Sequence, residues 1–277
     1  MVCLDVLLAN DEEDVVVNVR KLKNIKIKMG CLFMKSDSEI ILKISALTKS
    51  VQLEDKTLEL LQPINLTVNS GETLAIVGSS GSGKTTLLSI LAGLDLPTSG
   101  EVYLKNHPLH QFNEEQRSQV RANHVGFIFQ QFLLINSLTA LENVMLPAEL
   151  ANLPDAKEQG LALLAQVGLA ERAEHYPSQL SGGEQQRVAI ARAFITKPDV
   201  LFADEPTGNL DTKTGIHIAD LLFELNEKLD TTLILVTHDP KLALRCQRQV
   251  EMDSGVLQEK LAQPNSSNEF TTDIKVG

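Results

Sequence analysis

The sequence predicts an α/β fold built around a mainly parallel β-sheet. Three apolar runs indicate this fold: residues 73–77 (TLAIV), 200–203 (VLFA) and 233–236 (LILV). None of the runs alternates apolar with polar residues, which is typical of strands that are buried on both faces of a parallel sheet. Helical patterns separate the runs along the chain, as crossover connections between parallel strands require.

The two ends of the chain are predicted to lie outside the folded domain. An acidic cluster at residues 11–14 is followed by a basic run at residues 20–28 with no periodic apolar pattern, which favours a disordered or non-native extension over a regulatory arm. Met29 and Met34 are alternative starts, and we expect Met34 to be the physiological initiator because organised sequence begins soon after it. The predicted boundaries are residues 1–37 for the extension, 38–262 for the domain and 263–277 for a disordered tail.

Further elements follow in order along the domain. Turn signals are present at Gly71 and at residues 97–100 (PTSG), and residues 139–197 have a mainly helical pattern. Additional strands are predicted at residues 40–44, 66–68, 102–104 and 125–129. The helical region is expected to be interrupted at Pro147, Pro154, Gly168 and Pro177.

Composition limits the classes of function. The chain has 25 basic and 36 acidic residues, a net charge of -11, which weighs against general binding to nucleic acid or to an anionic membrane surface. Cys3, Cys31 and Cys246 have no C-x-x-C spacing, so neither a disulfide framework nor a zinc site is indicated. No run approaches the roughly 18 to 20 apolar residues that cross a bilayer, and the first residues lack a signal-peptide pattern. We therefore expect a cytosolic protein.

The stretch GSSGSGKTT fits the phosphate-binding pattern G-x-x-x-x-G-K-[ST]. Its composition would also suit a flexible linker, but it lies between a predicted strand and a predicted helix. In such a loop the backbone N–H groups and the helix N-terminus point at phosphate oxygens. Lys84 would reach the β- and γ-phosphates, and the Thr85 hydroxyl would bind Mg²⁺. The candidate phosphate-binding residues are Gly78, Ser79, Ser80, Gly81, Ser82, Gly83, Lys84, Thr85 and Thr86.

Two carboxylates follow the apolar run at residues 200–203. Asp204 and Glu205 would lie at the carboxyl end of a strand, where ligands collect in open α/β sheets. Asp204 would hold Mg²⁺ through water, and Glu205 would accept a proton from the attacking water. The sequence DEPTG could also form a polar turn, but the phosphate-binding loop upstream favours the catalytic interpretation.

A second candidate anion site lies at residues 180–186 (LSGGEQQ). Ser181 and Glu184 have the spacing of a capping box, so a helix should begin here. Gly182 and Gly183 in its first turn each cost about 1 kcal/mol of helix propensity relative to Ala. Their missing side chains would let a phosphate approach the positively polarised helix end.

Together these motifs resemble those of the ATP-binding-cassette (ABC) family. LSGGEQQ resembles the family's signature motif, and GSSGSGKT and VLFADE resemble its Walker A and Walker B motifs, in the family's order. The resemblance covers about residues 40–260. It implies a RecA-like P-loop NTPase core, an antiparallel β subdomain, and an inserted helical subdomain at about residues 131–190 that carries the signature.

The resemblance implies roles for further residues. Gln130 matches the Q-loop glutamine, near Mg²⁺ and the attacking water, and His238 matches the H-loop histidine that contacts the γ-phosphate. Asp211 lies in the segment that matches the D-loop. Members of the family commonly stack an aromatic ring on adenine, but this chain has Val51 at the matching position. We therefore expect weak base stacking and a looser nucleotide preference.

Longer stretches are similar to stand-alone bacterial cassettes of the lipoprotein-releasing and macrolide-exporting type. These are residues 140–144 (ALENV), 202–211 (FADEPTGNLD) and 237–239 (THD). Residues 107–111 and 221–226 are most similar to the corresponding segments of one type of protein within this branch. Since one chain has one Walker A motif and one signature, the resemblance implies a head-to-tail homodimer with two ATP molecules, each held between the Walker A motif of one subunit and residues 181–183 of the other.

Two functions remain open at this point. The first is an ATP-hydrolysing subunit that drives a separate integral membrane permease or mechanotransmission protein at the cytoplasmic face of the bacterial inner membrane. Residues 146–150 (LPAEL) would then be a docking contact, although ordinary helix packing would also explain them. The second is a soluble cassette ATPase that acts on ribosomes or nucleic acid. ABC proteins with the second function usually have two cassettes or a long coiled-coil insertion, which this chain lacks. The net charge of -11 also favours the first function, and we expect no nucleic-acid partner.

Overall fold

The computed structural model describes residues 39–53 and 56–260. The predictions for the extension at residues 1–37, including the start at Met34, and for the tail at residues 263–277 lie outside the described residues. No helix in the described part of the chain is long and apolar enough to cross a membrane.

A six-stranded sheet forms the centre of the described domain. Its strand order is β10, β9, β3, β8, β7, β6, and only the β9–β10 pair is antiparallel. The three apolar runs form the adjacent strands β3, β8 and β7, so the predicted α/β fold with a mainly parallel sheet is confirmed. The strands are β3 (Thr73–Val77), β6 (Val125–Ile128), β7 (Val200–Asp204), β8 (Thr232–Val236), β9 (Arg248–Asp253) and β10 (Val256–Glu259).

A second, antiparallel sheet has the order β2, β1, β4, β5. β1 (Ile40–Gln52) and β2 (Thr57–Asn69) are longer than the predicted runs at residues 40–44 and 66–68, because they continue to pair with each other through stretches that mix polar and apolar residues. β4 begins inside the turn that was predicted at residues 97–100. The strands are β1 (Ile40–Gln52), β2 (Thr57–Asn69), β4 (Ser99–Leu104) and β5 (His107–Pro108).

Three of the helices are inserted between β6 and β7, where a helical region was predicted. Pro147 does not interrupt this region as expected, because it lies inside α3 (Ala140–Leu150) and removes only its own N–H bond. Its carbonyl still accepts the N–H of Ala151 at 3.1 Å. The helices are α1 (Lys84–Leu91), α2 (Glu114–His124), α3 (Ala140–Leu150), α4 (Ala156–Gln166), α5 (Gly182–Phe194), α6 (Thr212–Leu229) and α7 (Pro240–Ala243).

Successive residues of the central strands face two different hydrophobic cores. In β3, Leu74 and Ile76 pack with α1 and the antiparallel sheet, whereas Ala75 and Val77 pack with the helices inserted before β7. Burial on both faces explains why these strands have no polar alternation. The carboxyl ends of β3, β7 and β8 lie side by side, and they bring together three of the predicted motifs.

Candidate functional site

The loop between β3 and α1 is packed tightly against neighbouring strands. Gly78 and Gly83 have φ angles of 151° and 104°. A Cβ on Gly78 would lie 2.1 Å from the carbonyl oxygen of Met252 in β9, and a Cβ on Gly83 would lie 2.8 Å from Leu61 Cδ2 in β2. The glycines are therefore required by both conformation and space. The loop is a fixed element and not a flexible linker.

The polar groups of this loop fit a phosphate. The ammonium of Lys84, whose residue is 8% exposed, donates to the carbonyl oxygens of Gly78 at 2.8 Å and Ser79 at 2.7 Å. The Ser82 hydroxyl is buried and has no hydrogen-bond partner among the described residues. A Cβ on Gly81 would meet no atom within 4 Å, so the backbone there is accessible. A buried cation, an unpaired hydroxyl and an open glycine backbone are the features that a phosphate group would use.

Asp204 and Thr85 meet where β7 ends and α1 begins. The Thr85 hydroxyl donates to Asp204 Oδ1 at 3.5 Å. Burial is the main cause that raises the pKa of Asp204 and the negative charge of Glu205 raises it further, whereas Thr85 and Lys84 oppose the shift. Hydroxyl and carboxylate oxygens are the ligands that Mg²⁺ prefers. The described residues contain no cluster of three or more His, Cys, Asp and Glu side chains that could hold a metal, so waters and phosphate oxygens would have to complete the shell of a Mg²⁺ ion here.

Glu205 and His238 form a pair at the ends of β7 and β8. Glu205 has a left-handed backbone, with φ 45°, fixed by a bond from its N–H to the Val236 carbonyl at 2.9 Å. Its Oε1 lies 2.8 Å from His238 Nδ1, and its Oε2 accepts a longer bond from the Thr237 hydroxyl at 3.4 Å. A non-glycine residue in this backbone region is strained, and such strain is typical of functional positions.

Gln130 reaches the same site from the end of β6. Asn209, in the loop after β7, donates to the Gln130 carbonyl at 2.8 Å, and the Gln130 side chain donates to Asn209 at 3.5 Å. A cleft of about 810 Å³ connects these groups. The structure therefore brings the predicted phosphate-binding, metal-binding and catalytic residues together; the cleft is lined by, among others, Lys84, Thr85, Gln130, Asp204, Glu205 and His238.

The predicted helix start at Ser181 is confirmed. The N–H of Ser181 donates to Glu184 Oε2 at 2.8 Å, and the N–H of Glu184 donates to Ser181 Oγ at 3.3 Å. The first of these bonds, together with the Ser181 hydroxyl, lowers the pKa of Glu184. No described residue that lines the cleft belongs to residues 181–183, so the two candidate anion sites are separate within one chain.

The two signature glycines have different surroundings. A Cβ on Gly183 would lie 2.6 Å from Thr214 Cγ2 in α6, whereas a Cβ on Gly182 would meet nothing closer than 3.7 Å. The sequence pattern alone attributes both glycines to the approach of an anion. The structure adds a packing requirement at Gly183, which a local pattern cannot contain because the neighbour is on another helix.

Asp211 also lies outside the cleft, at the start of α6. Its carboxylate accepts the N–H groups of Lys213 and Thr214, both at 3.1 Å, and hydrogen bonds from Thr214 are the main cause of its lowered pKa. Asp211 therefore caps α6. With Glu205 and His238 it lines a second, adjoining cavity of about 510 Å³.

Sequence patterns missed part of the cleft wall. Leu58 and Leu60 of β2 and the turn at Ser254 and Gly255 line the cleft beside the phosphate-binding loop. The Ser-Gly pair is a turn signal, but nothing in the sequence places that turn next to Gly83. Val51 pairs with Leu58 across the β1–β2 ladder, and both side chains are exposed. Leu58 lines the cleft together with Glu59, and Val51 lies beside it on the neighbouring strand.

Comparisons with known proteins show the family to which the chain belongs. The family described as ABC transporter matches residues 61–208. The chain is 57% identical over 225 residues to YbbA of Escherichia coli (strain K12), described as an uncharacterized ABC transporter ATP-binding protein, and the match covers 80% of this chain and 99% of that protein. It is 47% identical to the lipoprotein-releasing system ATP-binding protein LolD of Legionella pneumophila (strain Lens), over 79% of this chain and 98% of that protein.

A solved structure shows the same fold. It is described as the dimeric structure of a post-hydrolysis state of the ATP-binding cassette MJ0796 bound to ADP and Pi, and it is 39% identical to this chain with a TM-score of 0.73. The match covers 79% of this chain and 98% of that chain. These relatives confirm the predicted similarity to lipoprotein-releasing cassettes. They also confirm the narrower similarity that residues 107–111 and 221–226 indicated, which is a similarity to proteins of the YbbA type.

Proposed function

The chain belongs to the family of ABC transporter ATP-binding proteins, and from this premise we propose that it hydrolyses Mg²⁺-ATP to ADP and phosphate and couples the reaction to a separate membrane permease. One observation supports the proposal above all others. Lys84, the Thr85 and Asp204 pair, and the Glu205 and His238 pair converge on one cleft from three adjacent strand ends.

Each group has a defined task in this proposal. Backbone N–H groups of residues 78–86 and the Lys84 ammonium hold the phosphates. Thr85, Asp204 and Gln130 would hold Mg²⁺, which neutralises phosphate charge when it is bound. Glu205 accepts the proton of the attacking water, and the bond from His238 Nδ1 keeps the carboxylate oriented toward that water. The other ring nitrogen, Nε2, would donate to the γ-phosphate from an imidazolium ring, because only that form has an N–H on both nitrogens.

The working unit in this proposal is a homodimer with ATP at its interface. Ser181, Gly182 and Gly183 lie outside the chain's own cleft, and Asp211 lines only the adjoining cavity. A helix N-terminus with exposed N–H groups is complementary to the γ-phosphate of ATP and much less so to ADP. Binding of ATP should therefore close the dimer, and hydrolysis should open it. The MJ0796 cassette, which is similar, is dimeric in two solved structures.

The proposed permease contact is on the inserted helices. Of the predicted contact at residues 146–150, Ala148 is buried in the core and serves helix packing, whereas Leu150 is 74% exposed. Leu153 and Leu161, also exposed, belong to the same helical region. We propose that this aliphatic surface meets the permease at the cytoplasmic face of the bacterial inner membrane. The alternative, action on ribosomes or nucleic acid, has no specific observation in its favour.

A charge on this surface should separate permease binding from ATP hydrolysis. We expect Leu150→Arg to reduce recovery of the chain in bacterial membrane fractions at least about tenfold, because it places a charge in an apolar contact, while Mg²⁺-ATP turnover of the purified chain stays within about twofold. Leu244→Arg is the matched control, since Leu244 is similarly exposed, at 73%, beyond the end of α7. The measurement is detergent co-purification with identification of the integral membrane partner. Recovery of the wild type with ribosomes or DNA instead would contradict the proposal.

The exposed pair of Val51 and Leu58 at the edge of the cleft should give weak base selectivity. We expect wild-type kcat/KM values for ATP and GTP to agree within about tenfold, because Val51 and Leu58 offer no ring for stacking on a purine. Val51→Tyr should lower KM for ATP roughly fivefold, since an aromatic contact of this kind is worth about 1 kcal/mol. Val51→Ile, which adds volume without a ring, should leave KM unchanged. Equal KM values for all three proteins would place the base elsewhere.

A further inference from the structure

Two consecutive bulky residues just after Gln130 have a left-handed backbone. Phe132 has φ 59° and Leu133 has φ 49°. A side chain with a Cβ atom is unfavourable in this region, which Gly, Asn and Asp enter more readily. Contacts from elsewhere in the fold must therefore hold this segment in place.

Arg192, in the last turn of α5, supplies such contacts. Its Nη2 donates to the Phe132 carbonyl at 2.8 Å, and its Nη1 donates to the Leu133 carbonyl at 2.6 Å. Burial lowers the pKa of Arg192, and no ion pair between Arg192 and a carboxylate is found in the described ranges of the chain. The guanidinium thus donates to the carbonyls of the two residues whose backbone is strained. Its planar arrangement of N–H groups suits two adjacent acceptors.

The neighbouring residues are attached to different parts of the domain. The Phe132 ring lies beside the first turn of α5, where a Cβ on Gly182 would be 3.8 Å from its Cζ. Asn143 of α3 accepts the N–H of Ile135 at 2.8 Å and donates to its carbonyl at 3.1 Å. Gln130, in contrast, is tied to Asn209 in the loop after β7. The chain therefore passes from the core to the inserted helices between Gln130 and Phe132.

Arg192 and the start of the signature are on one helix. α5 also contacts the loop after β7, because the fully buried Gln186 donates to the Pro206 carbonyl at 2.7 Å. A rigid helix transmits a displacement of its first turn to its last. Any shift of residues 181–183 would thus move the two carbonyls to which Arg192 donates. The segment between these carbonyls and Gln130 would move with them.

We propose that Arg192 is a positioning residue for ATP hydrolysis: by holding Phe132 and Leu133 in the left-handed conformation, it sets where Gln130 lies relative to Asp204 and Glu205. This inference rests on the proposed function, because it concerns the delivery of Gln130 to that reaction. Arg192 acts through the backbone of two other residues. Its loss should therefore change the rate of the reaction and not the affinity for nucleotide.

The first test replaces Arg192 in the full chain. Arg192→Met should lower kcat for Mg²⁺-ATP about tenfold, since small misplacements of a catalytic group are costly, while KM and nucleotide affinity stay within about twofold. Arg192→Lys should give an intermediate kcat, because a single ammonium does not reproduce the fork. Arg121→Met is the control for the chemical change: Arg121, in α2, also donates to a backbone carbonyl, that of Gly93 at 2.7 Å, and in addition pairs with Glu114 at 2.6 Å. Its loss should not change kcat.

A second-site change tests whether backbone strain is the link. Leu133 is 52% exposed, so replacing its side chain removes little packing. Asn adopts a left-handed backbone more readily than Leu. Adding Leu133→Asn to Arg192→Met should therefore restore at least about a third of wild-type kcat, whereas adding Leu133→Ala should not. Equal rescue by Asn and Ala would overturn the proposal, because strain would then not be involved.

Amide hydrogen exchange separates this inference from the proposed function. Without nucleotide, Arg192→Met should increase exchange in residues 130–135 and leave residues 184–190 of α5 unchanged. Unchanged exchange in residues 130–135 would overturn the clamp, whatever the ATPase rate. Increased exchange there with an unchanged kcat would overturn the positioning role. Failure of the wild type itself to hydrolyse Mg²⁺-ATP would instead refute the proposed function, and the exchange data would still decide whether Arg192 holds the segment.

Discussion

Lys84→Met should reduce ATP turnover about 100-fold to 1,000-fold while leaving the fold about as stable as the wild type. The Lys84 ammonium is buried, and its hydrogen bonds go to the carbonyl oxygens of Gly78 and Ser79. Desolvation of a cation costs several kcal/mol, and two hydrogen bonds from a charged donor return about 1.5 to 3 kcal/mol each. The two contributions nearly cancel, so an apolar chain of similar length should change the free energy of unfolding by no more than about 1 kcal/mol.

The activity should respond very differently. The ammonium is the main positive charge beside the phosphate-binding loop, and removing one preorganised charge from such a site costs about 100-fold to 1,000-fold in turnover. We expect a loss of this size for Lys84→Met, together with weaker binding of a fluorescent ATP analogue. Urea unfolding measured on the same samples gives the stability, so that loss of activity and loss of fold are read separately.

Lys49→Met is the matched control with the opposite expected result. Lys49 also donates to a backbone carbonyl, that of Leu96 at 2.7 Å, but it has an ion pair with Asp95, also at 2.7 Å. Its removal leaves a carboxylate without its partner, which should cost about 1 kcal/mol of stability and leave turnover within about twofold. Wild-type turnover by Lys84→Met would contradict the assignment of Lys84 to the phosphates.

The parts of the structure that follow from short-range patterns were predictable. The strands β3, β7 and β8 lack polar alternation because both of their faces are buried. This burial is visible in the sequence as a run of consecutive apolar residues. The helix start at Ser181 depends on a residue only three positions away, and its capping box formed as expected. Since parallel strands end at one edge, these local predictions were enough to expect that the residues after β3, β7 and β8 would meet.

Features that depend on distant contacts were not predictable. The outer halves of β1 and β2 are held by pairing with each other, and their mixture of polar and apolar residues gave no strand signal. Gly183 is restricted by Thr214, and Ser254 reaches the cleft only because β9 pairs with β3. Propensity even opposes the left-handed backbone at Phe132, which Arg192 stabilises from 60 positions away. Local preference is overridden at the positions where two parts of the domain must meet.

Glu205→Gln should reduce ATP turnover about 100-fold to 1,000-fold without loss of nucleotide binding. The amide cannot accept the proton of the attacking water, and general base catalysis contributes a factor of this size. The substitution keeps the shape of the side chain, and its oxygen can still accept the bond that Glu205 Oε1 makes with His238 at 2.8 Å. The strained backbone at this position, with φ 45°, is also retained because it is fixed by the bond to the Val236 carbonyl.

The same variant should reveal the dimer. With hydrolysis slowed, ATP would remain between the phosphate-binding loop of one subunit and residues 181–183 of the other in the proposed homodimer, and its binding energy would then favour the closed state. Size-exclusion chromatography with light scattering should show Glu205→Gln as a dimer with Mg²⁺-ATP and as a monomer with ADP, which lacks the γ-phosphate. Glu224→Gln makes the same chemical change in an exposed pair with Lys228 on α6, and it should behave as the wild type. A Glu205→Gln protein that binds ATP tightly and stays monomeric would contradict the proposed homodimer, because residues 181–183 would then take no part in holding the nucleotide.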